Sequence, residues 1–89
     1  MALTKERVAE LVKTYGKSES DSGSPQVQIA LLTEQIRELT EHLKSHKHDF
    51  HGRRGLLVLV GRRSRLLQYL EKSNRDSYLD LISKLGLRK

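Results

Sequence analysis

Four histidines, His42, His46, His48 and His51, fall within one short stretch of this chain, and imidazole is the side chain that exchanges a proton most readily near neutral pH. His42 and His46 stand four residues apart, so on a helix they share one face. Such a pair can ligate a metal when the following turn supplies a third donor, or work as general acid and base in a ribonuclease. The neighbours support neither chemistry. Cysteine is absent, there is no second helical ligand pair, and the carboxylates at hand are Glu41 and Asp49. Nothing provides an activated nucleophile or a preorganised pocket. The expectation is a protein without catalytic residues, metal ligands, cofactor or small-molecule substrate, whose imidazoles face a nucleic-acid groove as donors and acceptors.

The basic residues extend that reading. Residues 44–75 hold nine Lys and Arg against Asp49 and Glu71, a local net charge of +7. Residues 1–43 have five basic and seven acidic groups, net −2, and residues 76–89 have three and two, net +1. The whole-chain charge of +6 is therefore a local property, and a concentrated positive field is the footprint of a polyanion partner, most often nucleic acid. Arg54, Val58, Arg62, Arg65, Tyr69 and Lys72 recur at spacings of four, four, three, four and three, which puts them on one helix face. Four residues of helix rise about 6 Å, comparable with the separation of phosphates along a strand. Tyr69 adds a ring that can stack on a sugar or base and a hydroxyl that can donate to phosphate. Most charged helix faces are merely solvated, but one this one-sided, with no acid before Glu71, is expected to hold RNA or DNA. Arg53, Arg54, Arg62 and Arg63 are assigned to phosphate contacts.

Asp49 differs in kind. A carboxylate amid cations is repelled by phosphates, so it should cap a helix, or accept from a base amino group such as that of guanine in a shallow minor groove. Both roles are compatible. The loop Asp21-Ser22-Gly23-Ser24-Pro25 is a weaker signal. Small hydroxyl residues around a glycine allow close approach to a groove, a helix N-terminus offers free N–H groups to an anion, and Gln28 one turn later can read a base edge or a 2′-hydroxyl. An ordinary capped loop has the same composition.

These residues need elements to position them, and 89 residues allow one domain, 1–89, because two cores would each be too small. The longest apolar run, Leu56 to Val60, has five residues, against the ~20 needed to cross a bilayer. The start Met-Ala-Leu-Thr-Lys-Glu lacks the apolar core of a signal peptide. A soluble, cytoplasmic protein with no membrane partner is expected.

Four segments have helical periodicity and none alternates with period two, so the chain is read as all-α. The first helix is expected over about Thr4–Tyr15, with Val8, Leu11, Val12 and Tyr15 on one face and a left-handed Gly16 at its end. Ser24-Pro25 opens the second as N-cap and first-turn proline, with a core stripe of Ile29, Leu32, Ile36, Leu39 and Leu43. The turn Ser45–Phe50 reverses the chain. Asp49 caps the third helix, which runs to about Ser73 with an apolar stripe of Leu56, Leu59, Val60, Leu66, Leu67 and Leu70. Ser73 or Asn74 starts a short fourth helix, where Tyr78, Leu79, Ile82 and Leu85 face the core and Gly86 ends it. Two long helices joined by a short turn lie antiparallel, and the two shorter ones cover their groove, giving a small four-helix bundle. The polar loop 17–24 leaves open whether residues 1–16 pack on the bundle or swing free.

The run Asp21-Ser22-Gly23-Ser24-Pro25-Gln26-Val27-Gln28-Ile29-Ala30, the turn His46-Lys47-His48-Asp49, and the stretches Arg53-Arg54-Gly55-Leu56-Leu57, Gln68-Tyr69-Leu70 and Leu85-Gly86-Leu87-Arg88 resemble the bacterial small-subunit ribosomal protein S-fifteen family. The likeness covers essentially the whole chain in order. It implies a four-helix protein, monomeric when free, that binds the central domain of small-subunit ribosomal RNA early in assembly beside neighbouring ribosomal proteins. It implies two RNA contacts. One is a three-way junction met by Ser22, Gly23, Gln28 and Tyr69, with Arg65 and Lys72 as phosphate partners. The other is a minor groove with a G·U/G·C pair met by His42 and Asp49 around the turn, beside which the histidine reading places His46. Contact with large-subunit RNA and repression of its own messenger RNA are further roles the family admits.

Departures matter as well. Ser22 stands where the family usually has threonine, and the hydroxyl survives. The family turn reads Asp-His-His-Ser-Arg-Arg, here Asp49-Phe50-His51-Gly52-Arg53-Arg54, so Gly52 lacks the hydroxyl of a serine contact. The stretch Glu71-Lys72-Ser73-Asn74 is less basic than usual, and Ser77 replaces an arginine. A helical DNA-binding regulator is the alternative from another class, but the chain lacks the three-to-four-residue turn of helix-turn-helix proteins.

Overall fold

Ser24 begins the bundle's central helix. In the computed structural model, which describes residues 4–16 and 23–87, Ser24 is extended and its Oγ accepts from the Val27 N–H at 3.4 Å. Pro25, with its φ preset and no N–H to orphan, follows at the first helical position. Helix α2 (Pro25–Ser45) then runs for 21 residues, about 32 Å. It ends where the His46 N–H donates to the His42 carbonyl. The Asp49 and Phe50 N–H groups close the turn onto His46 and His48, and Asp49 Oδ1 accepts from the Gly52 N–H at 2.9 Å to start α3 (Phe50–Ser73).

Asn74 both ends α3 and begins α4 (Arg75–Leu85): its N–H donates to the Leu70 carbonyl at 2.7 Å, and its side chain accepts from the Ser77 N–H. One residue, through its backbone N–H and its side chain, thus sets the corner between the two helices. Gly86 stops α4 with φ 68°, and the Leu87 N–H reaches back to the Ile82 carbonyl, the paired closure that a left-handed glycine permits. Helix α1 (Lys5–Tyr15) is capped by Thr4. Gly16 ends it in an extended conformation, not the expected left-handed one. The cap N–H still bonds the Val12 carbonyl, so the chain leaves the helix without needing positive φ.

The core lies at one end of the α2–α3 hairpin. Leu11 of α1, Ile29 and Ala30 of α2, Leu70 of α3 and Tyr78, Leu81 and Leu85 of α4 form a single buried cluster. Arg7 ion-pairs with Glu34, tying α1 to α2, and Arg37 donates to the Leu85 carbonyl, tying α2 to α4. At its N-terminal half, α2 is therefore covered on two sides, and Val27, Ala30 and Thr33 are buried there although they fall outside the predicted stripe. Toward the turn, α2 has only α3 to pack against. Ile36 and Leu43 are half-buried there, as are Leu56, Leu59 and Val60 opposite them, while Leu39 between them is buried; Leu32, beside buried Thr33, is half-buried too. In α4 the expected Tyr78 and Leu85 are buried and Ile82 packs against the core, but Leu81 is buried in place of Leu79, which is 42 % exposed.

Candidate nucleic-acid interface

The incomplete cover over α2 and α3 leaves an open groove along their seam. Its first section is walled by Gln28, Leu31, Leu32 and Gln35 from α2 and by Arg62, Arg65 and Leu66 from α3. Its second section continues past Gln35 to Leu39, with His51, Arg54, Gly55, Val58 and Leu59 opposite. Gln35 borders both, and the two sections follow one another along the seam from Gln28 to the first turn of α3. Its floor is leucine and its rims are amide on one side and guanidinium on the other.

The α3 row follows the predicted helical spacing. Arg54, Val58, Arg62, Arg65, Tyr69 and Lys72 are all exposed, with Tyr69 at 60 %. Among the described residues, none of Arg53, Arg54, Arg62, Arg65 and Lys72 is in an ion pair. Glu71, the acid nearest the row, is bridged to Arg75 at 3.2 Å. An uncompensated cation row beside apolar carbon is a surface suited to a phosphate backbone whose bases or sugars touch the floor.

Arg63 stands apart from the row. It occupies a core-stripe position of α3, and its Nη1 donates weakly to Thr33 Oγ1 on the other side of the seam, at 3.4 Å. Burial against α2, with Arg37 nearby, pulls its pKa below the usual arginine value. Its stem contributes packing that an exposed arginine does not. Gly23 is exposed one turn before Gln28, while Ser22 and Asp21 lie outside the described residues.

At the far end of the hairpin the imidazoles are ordered by their neighbours. His42 Nε2 lies 3.0 Å from Asp49 Oδ2, so both oxygens of Asp49 are engaged. The Gly52 N–H and then His42 hold the Asp49 pKa below the ordinary carboxylate value. His46 stacks on His42, with ring centroids 4.2 Å apart and planes 8° from parallel, and its Nδ1 is 3.1 Å from the His42 carbonyl. Parallel stacked rings do not converge their nitrogens on a common ion, and no group of three or more metal-ligating side chains comes together among the described residues. His48 instead meets Phe50 edge-on at 6.4 Å. Gln35 borders the groove but was not among the predicted site residues, while His51, expected as one of four imidazoles facing a nucleic-acid groove, borders it as well. The seven-residue interval from Gln28 to Gln35 was the available signal, since it returns to the same helix face.

The family model described as Ribosomal protein S15 matches residues 8–88. The chain belongs to the ribosomal protein S15 family. Curated relatives agree: small ribosomal subunit protein uS15 of Corynebacterium jeikeium is 62 % identical over 89 residues, covering all of both chains. The proteins of the same name from Corynebacterium glutamicum and Mycobacterium tuberculosis are 60 % and 57 % identical over the same full lengths. As a member of the S15 family the chain is a ribosomal protein and not an enzyme. No helix among its described residues is long and apolar enough to cross a membrane.

Proposed function

We propose that this protein is a structural part of the small ribosomal subunit and holds ribosomal RNA along the α2–α3 seam. At the core end, Ser22, Gly23 and Gln28 from the loop and α2, with Arg65, Tyr69 and Lys72 from α3, take a three-way junction. At the turn, His42, His46 and Asp49 take an adjacent minor groove, with Arg53, Arg54 and Arg62 on intervening phosphates. From Gln28 to His42 the helix rises about 21 Å, so a rigid α2 fixes the separation of the two contacts and selects RNA of one shape. The observation that carries this reading is the row of unpaired cations on the same groove as Gln28. Base stacking on an exposed aromatic contributes ~1–3 kcal/mol, so Tyr69→Ala should weaken binding to a three-way-junction RNA about tenfold or more while leaving helicity intact. Unchanged affinity of Tyr69→Ala and Arg65→Ala at fixed salt would remove that face from the site.

A further inference from the structure

Arg37 and Arg63 lie outside the α2–α3 groove. Arg37 follows the groove residue Gln35 by two positions, and Arg63 precedes Arg65 by two. Two residues are about 200° of helix, so both arginines stand on the side of the hairpin turned away from the groove. The end of α4 lies there as well. Arg37 Nη2 donates to the Leu85 carbonyl at 3.0 Å, where the last carbonyls of a helix favour a cation. Arg63 Nη1 donates to Thr33 Oγ1 at 3.4 Å, and Thr33 stands one turn before Arg37 on the same face of α2. Neutral acceptors thus hold the two guanidiniums near one another.

No carboxylate neutralises them: among the described residues neither is in an ion pair. The acids spaced to reach Arg37 along α2 are Glu34, three residues before it, and Glu41, four after. Each already holds another cation, Arg7 and Lys44 respectively. On α3 Glu71 is bridged to Arg75, and on α4 Asp80 is bridged to Lys84. Glu38 follows Arg37 about 100° further round the helix. Two like charges partly out of water disfavour one another. The Arg63 guanidinium is accordingly held below the usual arginine pKa, first by burial and then by Arg37. A guanidinium has several N–H donors in a rigid fork, and each of these two spends one on the protein. Arg37 is exposed and Arg63 half-buried, so the pair is reached from solvent on the Arg37 side.

We infer that Arg37 and Arg63 together bind a phosphate group between α2, α3 and the end of α4, on the face of the hairpin opposite the groove. A phosphate offers acceptor oxygens to both forks, and its charge removes the repulsion between them. The same chemistry serves the backbone of an RNA strand passing behind the hairpin or free phosphate. The site shares no residue with the groove, so it does not rest on the junction or minor-groove contacts.

The test uses the full chain with Arg37→Gln and Arg63→Met. Methionine keeps an apolar stem in the seam, and Arg37 is exposed, so both variants should fold as the parent does. Guanidinium 15N–1H spectra are followed as inorganic phosphate replaces chloride at constant ionic strength. In the parent the Arg37 and Arg63 signals should move together and saturate, and each variant should abolish saturation at the arginine that remains. Signals that do not move, or move without saturating, in the parent overturn the site. Saturation that survives in either variant overturns the pairing of the two arginines. Salt-resolved binding of a junction RNA then separates the sources. A slope of log affinity against log salt lower by about 1 in Arg37→Gln assigns the site to an RNA phosphate, and an unchanged slope assigns it to free phosphate.

Discussion

Gln28 of α2 and Arg65 of α3 stand on opposite walls of one groove, although 37 positions separate them in the chain. The antiparallel hairpin brings the neutral amide and the cation together, with leucine beneath them. The two side chains should therefore fail differently. Arg65→Ala should lower the slope of log affinity against log salt by about 1, the effect of one lost phosphate contact. Gln28→Ala should weaken junction binding with the slope unchanged. Salt-resolved titrations of the two variants separate the roles, and equal slopes for both would contradict the assignment of Arg65 to phosphate.

Asp49 caps α3, and Asp49→Asn separates that cap from the proposed recognition role. Asparagine caps a helix about as well as aspartate, so stability at neutral pH should change little. The amide has one acceptor oxygen and so cannot accept from both the Gly52 N–H and His42, and discrimination between guanine- and inosine-containing grooves should fall by ~1–3 kcal/mol. Competitive binding measures the loss, and retained discrimination would leave Asp49 as a cap alone.

The depressed Asp49 pKa has a definite sign. The folded state binds this proton less readily than the unfolded state, so the stabilisation is fully present above the unfolded carboxylate range and is lost as pH falls through the folded value. Denaturant unfolding of the parent and Asp49→Asn should show any advantage of the parent at neutral pH shrinking in acid. A gap that is constant with pH would contradict the carboxylate's role at the cap.

Arg63 and Arg65 are two residues apart and should behave oppositely. Arg63→Ala removes a half-buried stem and its bond to Thr33, and should cost about 1–2 kcal/mol, recovered largely by Arg63→Met. Arg65→Ala should stay within about 0.5 kcal/mol of the parent. Thermal or chemical unfolding decides, and a fully stable Arg63→Ala would remove it from the seam.

Much of this was legible in the residues. Ser24-Pro25, Asp49, Asn74 and Gly86 punctuate the helices because caps and stops are local chemistry. The α3 row was legible because charge and spacing agree over six positions. The buried faces were less so. Val27, Ala30 and Thr33 are buried because α1 and α4 clasp one end of α2, and Leu81 replaces Leu79 in the core, both consequences of how the elements meet. Arg63 looked like its neighbours until the seam placed it against Thr33.

The most direct measurement is a salt-resolved titration of the parent protein against a three-way junction bearing the G·U/G·C helix and against a plain RNA duplex of equal length. A shape-selecting seam predicts strong preference for the junction that persists as salt rises, with a log–log slope near about −5 if six phosphates are met. Equal affinity for both RNAs with the same steep slope would contradict it and leave a basic helical bundle that binds charge alone.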